Sequence, residues 1–254
     1  MNSFNKLYSY LLLSLISILF VNAHPATIKQ DIDWPQFMSQ QDMIWEKLPE
    51  YWYDSAFLGN GKLGLMIYKE PGKNYLRLET GNCDVHDHRT KRDVFGIPRL
   101  LTGHFALHPK GKIINGTIHL DLWNAEASTD ITTTKGVIHL RSFVHADEMM
   151  IIVKATTEGD EHDFQWEWIA AEANSPRYLI FKRQGKANKI PKDYELNPTA
   201  KISNGKEINL SVQKLLAGGE TSVGWQETYN PETERNLWIN LTHTYPQNNS
   251  SEIC

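Results

Sequence analysis

Apolar and polar residues alternate with a period of two through much of the second half of this chain, and that pattern limits its fold more than any other feature. From Gly116 to Trp123, Ile118, Leu120 and Leu122 fall on one side and His119 and Asp121 on the other, as in a strand with one buried face. The runs Ala125–Thr133 and Gly136–His145 follow, and a turn at Ala146-Asp147-Glu148 leads into the apolar Met149–Ala155. Weaker strand-like pieces come at 164–169, 177–181, 207–212 and 236–241, separated by Pro and Gly, with a second long loop at 182–198. No fixed period repeats, which counts against propellers and solenoids. The expectation is an all-β chain: a large antiparallel β-sandwich, or supersandwich, with few short helices. Ile118, Leu120, Leu122, Ile138, Leu140, Ile151 and Val153 should lie in its core.

The first half is less regular. Asp33–Met38 and Ile44–Pro49 read as an opening segment with a short turn of helix, closed by Pro49, whose aromatic residues pack on a sheet edge. In Ala56–Met66, the triplet Gly59-Asn60-Gly61 tolerates positive φ between two apolar arms, which predicts a hairpin over 57–68. Tyr75 and Arg77 then alternate with Leu76 and Leu78 as in a half-buried strand. From Thr80 to Leu101 neither period is present, and a long polar loop is expected. It concentrates Asp84, His86, Asp87, His88, Arg89 and Arg92, and long ordered loops often carry function.

The string Trp52-x-x-x-Ala56-Phe57-Leu58-Gly59-Asn60-Gly61-x-Leu63-Gly64 resembles the opening of the N-terminal β-sandwich domain of glycoside hydrolase family 95, the fucosidase and galactosidase family, and of related bacterial proteins. The strands between Leu120 and Ala155 resemble that family's Leu-Asp-Leu, Thr-rich and Arg-x-x-Phe-x-Ser strands, so the likeness covers roughly 45–160. In the family an Asn-Glu-Asp-x-Leu-Trp segment follows the same strand and leans towards the catalytic barrel. Here Gly81–His86 keeps Asn82 and the acid Asp84 and has no Trp. On the resemblance, Asn82, Asp84, His86, His88 and Arg89 are the candidate substrate-binding residues. The competing readings are that the loop docks a barrel through salt bridges or is simply solvated.

Residues 1–23 read as a secretory signal: Lys6, an apolar run from Leu11 to Val21, then Val21-Asn22-Ala23 as the cleavage pattern. The run is about half of the roughly 20 residues that span a bilayer, so a secreted or periplasmic protein with no membrane contact after processing is expected. Residues 24–254 then form one sandwich domain. A net charge of −4 without a basic stripe argues against nucleic acid as a partner. Of the two cysteines, a buried Cys83 and a frayed Cys254 are a simpler reading than a bridge.

Catalytic chemistry is hard to place. His86-x-His88 with Asp84 and Asp87 has the ligand types of a zinc site, but no third or fourth ligand can be assigned, and a solvated polar loop is the favoured reading. No metal or cofactor is therefore expected. Glycoside hydrolysis needs two carboxyl groups in opposed roles, and none of the 30 Asp and Glu residues sits in a distinctive motif. A nucleophile elbow, a phosphate-cradling Gly-x-x-x-x-Gly-Lys and a Cys-x-x-Cys pair are also missing. In the resembling family the catalytic groups belong to an (α/α)6 barrel that follows the sandwich. The expectation is thus a non-catalytic domain, truncated at its C-terminus, that meets glycan substrate through the absent barrel. The alternative is a free-standing secreted carbohydrate-binding or structural sandwich.

Among the aromatic residues, Trp34, Trp45 and Trp52 are the expected exposed rings for sugar stacking, and Trp166, Trp168 and Trp238 the expected core. Circular dichroism of the processed chain should show a strand-dominated spectrum, and one dominated by helix would end the all-β reading.

Overall fold

Strands that are apolar on one face must cover that face, and here two antiparallel sheets do so against each other. The computed structural model describes residues 32–89, 98–230 and 234–245. The chain divides into two compact units, Met1–Phe37 and Met38–Cys254. A short helix, α1 (Trp34–Ser39), runs across that boundary; Asp33 opens it by accepting the Gln36 N–H on its side chain at 3.1 Å, and the Trp34 and Phe37 rings meet edge to face at 5.9 Å. The expected signal sequence lies outside the described residues.

The second unit holds fourteen strands among its described residues. The larger sheet runs β1 (Met43–Trp45), β6 (Ile113–Asp121), β7 (Glu126–Thr133), β8 (Gly136–Val144), β9 (Met150–Gly159), β14 (Glu234–Thr244), β13 (Glu220–Asn230), β12 (Asn209–Lys214) and β11 (Lys201–Ser203). The smaller runs β10 (Gln165–Ala170), β5 (Gly103–His108), β4 (Leu76–Asn82), β3 (Leu63–Lys69) and β2 (Ala56–Gly59). Every pairing between these strands is antiparallel. The all-β sandwich expected from the alternation is the observed architecture.

Between the sheets, Leu65, Ile67, Leu76, Leu78, Phe105 and Leu107 face Ile118, Ile131, Ile138, Leu140, Ile151 and Val153, all fully buried. Of the seven core positions expected, six are buried, while Leu122 lies just past the end of β6 and is only partly covered. Phe105 packs on Trp168 of β10 at 4.9 Å and on Trp225 of β13 at 5.6 Å, joining the two sheets through aromatic rings. Trp238, in contrast, is 36% exposed: it sits one residue out of phase with Leu237 and Ile239, on the outer face, where its Nε1 donates to Thr228 Oγ1 at 3.1 Å.

The hairpin over 57–68 forms as expected, with β2 and β3 joined by a turn in which Gly61 has φ +89°. Asn60 closes it. Its Oδ1 accepts the N–H groups of Lys62 and Leu63 at 3.0 and 2.8 Å, and its Nδ2 donates to the carbonyls of His145 and Glu148 at 2.9 and 3.3 Å. One amide therefore shapes the turn and ties it to the β8–β9 connection of the other sheet.

Three readings of the chain are corrected. The run 177–181 is not a strand but part of helix α2 (Pro176–Arg183), because Ser175-Pro176 is a start signal and Gly185, at φ +67°, follows its end. Thr80, Gly81 and Asn82 continue β4 instead of opening a loop, since their partners Leu65, Gly64 and Leu63 on β3 extend the ladder. Cys83 is half-buried, not buried, since it occupies the turn after β4 with Sγ 3.7 Å from Asp84 Oδ1; Cys254 lies outside the described residues.

The fold also buries a carboxylate. Glu161, fully enclosed, accepts the N–H groups of Lys110 and Gly111 at 2.9 and 2.7 Å and the Thr133 hydroxyl, knitting the β5–β6 and β7–β8 turns together. Glu161→Ala, which leaves two backbone donors unpaired in the interior, should lower unfolding free energy by about 3 kcal/mol in denaturant titration, and Glu161→Gln should cost less because an amide oxygen still accepts.

Candidate functional site

After β4 the chain turns sharply and then runs extended along a short partner segment. Asn82 Oδ1 accepts the Asp84 N–H at 2.8 Å, setting the turn. Leu100 N–H donates to Val85 O at 2.9 Å, Asp87 N–H donates to Pro98 O at 3.0 Å, and His86 bridges Arg99 antiparallel. Burial follows period two: Val85 and Asp87 are buried, His86 and His88 half-buried. The expectation of an aperiodic polar loop is corrected, and the cause is Asp87, an inward-facing residue that only looks solvent-directed in the sequence.

Arg89 makes that burial possible. Its Nε donates to both Asp87 oxygens at 2.8 and 2.9 Å, and Nη2 adds a further short contact, so the charge is paired where it is enclosed. Nη1 donates to Glu195 O at 2.6 Å, and the guanidinium lies 4.7 Å above the Tyr194 ring. Arg89 thus anchors the segment to residues 194–195. Arg92 lies outside the described residues.

The alternate side chains form a cluster with the end of β14. The His86 and His88 rings lie 4.4 Å apart. His88 Nε2 is 2.7 Å from His243 Nε2, and His243 Nδ1 is 2.8 Å from Thr221 Oγ1. Tyr245 stands edge-on to His88 at 5.1 Å and to His243 at 5.5 Å, and its hydroxyl donates to Asp84 Oδ1 at 2.9 Å. Gly219 permits the approach, since a Cβ there would fall 2.8 Å from His88 Cδ2.

One proton must sit between the two facing Nε2 atoms, with Thr221 completing the relay in either direction. Burial lowers the His243 pKa to about 4, aided by the neighbouring His88 and His86 and opposed by Asp84. Burial likewise lowers that of His88, with His86 adding to the shift and Asp87 opposing it. At neutral pH both rings are uncharged, each with donor and acceptor character, beside the Asp84 carboxylate. Such an array suits hydrogen bonding to neutral hydroxyl groups. Among the described residues no group of three or more His, Cys, Asp or Glu side chains is arranged to hold a metal ion.

Of the five residues singled out from sequence, the fold brings Asp84, His86 and His88 together. Asn82 is buried in the turn, its Nδ2 without a hydrogen-bond partner, and Arg89 is engaged with Asp87. His243, Tyr245 and Thr221 were missed. His88 and His243 are 155 residues apart, and the only available sign was that His243 and Tyr245 share the two-residue spacing of the strand that precedes them.

No protein-family model matches the sequence, and no curated protein does. Among solved structures, the chain is similar to one described as a kojibiose phosphorylase from human microbiome, with a TM-score of 0.44 and 11% identity. That alignment covers 76% of this chain and 27% of the other, so the chain spans about a quarter of that protein's length. Among the described residues no helix is long and apolar enough to cross a membrane.

The histidine shifts carry a pH dependence of definite sign. Because the folded pKa of His243 lies below its unfolded value, the unfolded chain binds more protons at low pH. Its contribution is intact above about pH 6.5 and is lost as pH falls towards about 4. His104, buried on β5 and also lowered to about 4 by burial and the Arg77 charge, acts the same way. Thermal unfolding between pH 7 and pH 4 should show a midpoint that drops less steeply in His243→Gln than in the parent chain.

Proposed function

We propose that this chain is the N-terminal, non-catalytic sandwich domain of an exported glycoside hydrolase related to family 95, and that the segment 84–88 with the end of β14 forms part of the wall of its substrate site. The observation that carries the reading is the pairing of a hairpin bearing the family's Ala-Phe-Leu-Gly-Asn-Gly string with the polar cluster downstream of it. The Lys62 carbonyl, in that hairpin turn, accepts the Cys83 N–H at 2.9 Å, which ties the hairpin to the residue that precedes the cluster. Uncharged imidazoles, a tyrosine hydroxyl and a carboxylate side by side match the donor and acceptor needs of sugar hydroxyls.

On this reading the general acid and base reside in a barrel, and this domain supplies positioning. Each general catalyst contributes typically about 10²–10⁴-fold, so the chain by itself should turn over no aryl α-fucoside, β-galactoside or arabinoside above background. Turnover that survives purification and vanishes on replacing a single carboxylate would overturn the proposal. In the enzyme that carries the barrel, His86→Ala should weaken substrate handling by about 1–3 kcal/mol, the cost of unpaired polar groups. His86 is the informative position because His88 also holds His243, and its replacement would mix a loss of stability into the readout.

A further inference from the structure

A groove of about 700 Å³ lies elsewhere on the second unit, with Ile44, Trp45, Trp52, Tyr53, Asp54 and Phe57 in its lining. It shares no residue with the histidine cluster. Its position follows from the topology: β1 is the last strand of the larger sheet and β2 the last of the smaller, and the chain between them crosses from one edge to the other. That crossing contains a single 3-10 turn, Trp52–Asp54, which carries two exposed rings.

Trp52 and Tyr53 are 62% and 63% exposed, well beyond what rings of that size show when they serve only the core. They are nonetheless held in place. Trp45 Nε1 donates to Asp54 O at 2.8 Å, Ser55 Oγ donates to Trp52 O at 2.7 Å, and Asp54 N–H donates to Tyr51 O at 3.1 Å. Tyr51 and Tyr53 stack in parallel, 5.2 Å apart with 4° between their planes, and Trp52 stands at 79° to Tyr53. The backbone of the turn is thus fixed and its rings rest on one another before any ligand arrives, which reduces the ordering cost of binding.

We propose that this groove is a binding site for a neutral glycan, which stacks the apolar face of a pyranose ring on Trp52 and Tyr53 and presents its hydroxyls to the Asp54 carboxylate and the Tyr53 phenol. The size falls within the range of small-molecule sites, and the lining has the usual mixture of aromatic walls and few polar groups. Charge selects the ligand class: Asp54 is the sole charged side chain in the lining, so an anionic polymer is repelled and a neutral, hydroxyl-rich one is not. Rings set at right angles form a corner that fits the face and edge of a sugar, and they would obstruct a flat protein surface. Only the choice of glycan over other neutral ligands rests on the proposed function.

The test is isothermal titration of the full chain with the hexasaccharides of maltose, cellulose, xylan and mannan type, alongside tryptophan fluorescence. At least one of these should bind with a Kd below about 1 mM, and Trp52→Ala and Tyr53→Ala should each weaken it by about tenfold or more. Trp123→Ala, which removes an exposed ring outside both sites, should bind as the parent does, and circular dichroism should show all three variants folded. Absence of binding to all four sugars, or binding unchanged by Trp52→Ala, would overturn the groove assignment. Loss in His86→Ala with retention in Trp52→Ala would also overturn it, while leaving the accessory-domain reading intact. Self-association of the sugar-free chain that Trp52→Ala abolishes would overturn it in favour of a protein interface.

Discussion

The apolar layer between the two sheets is the constraint on which the other features rest. Each strand that contributes to it must keep one face inward, and a slip of a single residue would exchange that face for the polar one. Leu237, Ile239 and Leu241 on β14 illustrate the consequence: their inward direction puts Trp238, Asn240 and Thr242 outside. The same phase delivers His243 and Tyr245, at the end of that strand, to the segment that follows β4.

Three enclosed carboxyl groups are matched individually. Glu161 is held by two backbone donors and a hydroxyl, Asp87 by Arg89, and Glu79 by the Tyr68 hydroxyl at 2.5 Å with Arg77 Nε at 3.2 Å. Glu161 and the Glu79–Tyr68 pair link separate turns or strands, so these charges specify which connections lie together more than they add stability, whereas Arg89 pairs Asp87 within one segment. The histidine cluster differs in kind. Its rings face one another with a shared proton, and burial together with their mutual proximity lowers the pKa of His88 and His243.

The two sites proposed here use different physics. Around His86 and His88 the chemistry is directional hydrogen bonding from half-buried groups, whose geometry comes from Gly219, Thr221 and the end of β14. Around Trp52 and Tyr53 it is the contact of exposed ring faces with a ligand surface, organised by the Trp45 and Ser55 side chains, which donate to carbonyls of one short turn. A domain that positions a glycan for another domain gains from both, since stacking holds a chain broadly while hydrogen bonds select its orientation.

Much of this was legible in the residues. The alternation at Ile118, Leu120, Ile138 and Leu140 announced a two-layer β fold because period two exposes one face, and Gly59-Asn60-Gly61 announced its hairpin because positive φ is affordable there. Strands β5 and β13 were not foreseen: Gly103–His108 is buried on both faces and Glu220–Asn230 is largely polar, so neither shows a clean alternation. Helix α2 was misread because five residues of mixed polarity fit either period, and its Ser-Pro start outweighs them. Local pattern is set by local sterics and burial, so the sequence by itself determined the alternating strands, the hairpin turn and the candidate polar segment. Only the tertiary structure decided that Asp87 points inward, that Arg89 is already engaged, and that His88 finds its partner on β14, because contacts between distant residues depend on how whole sheets are ordered.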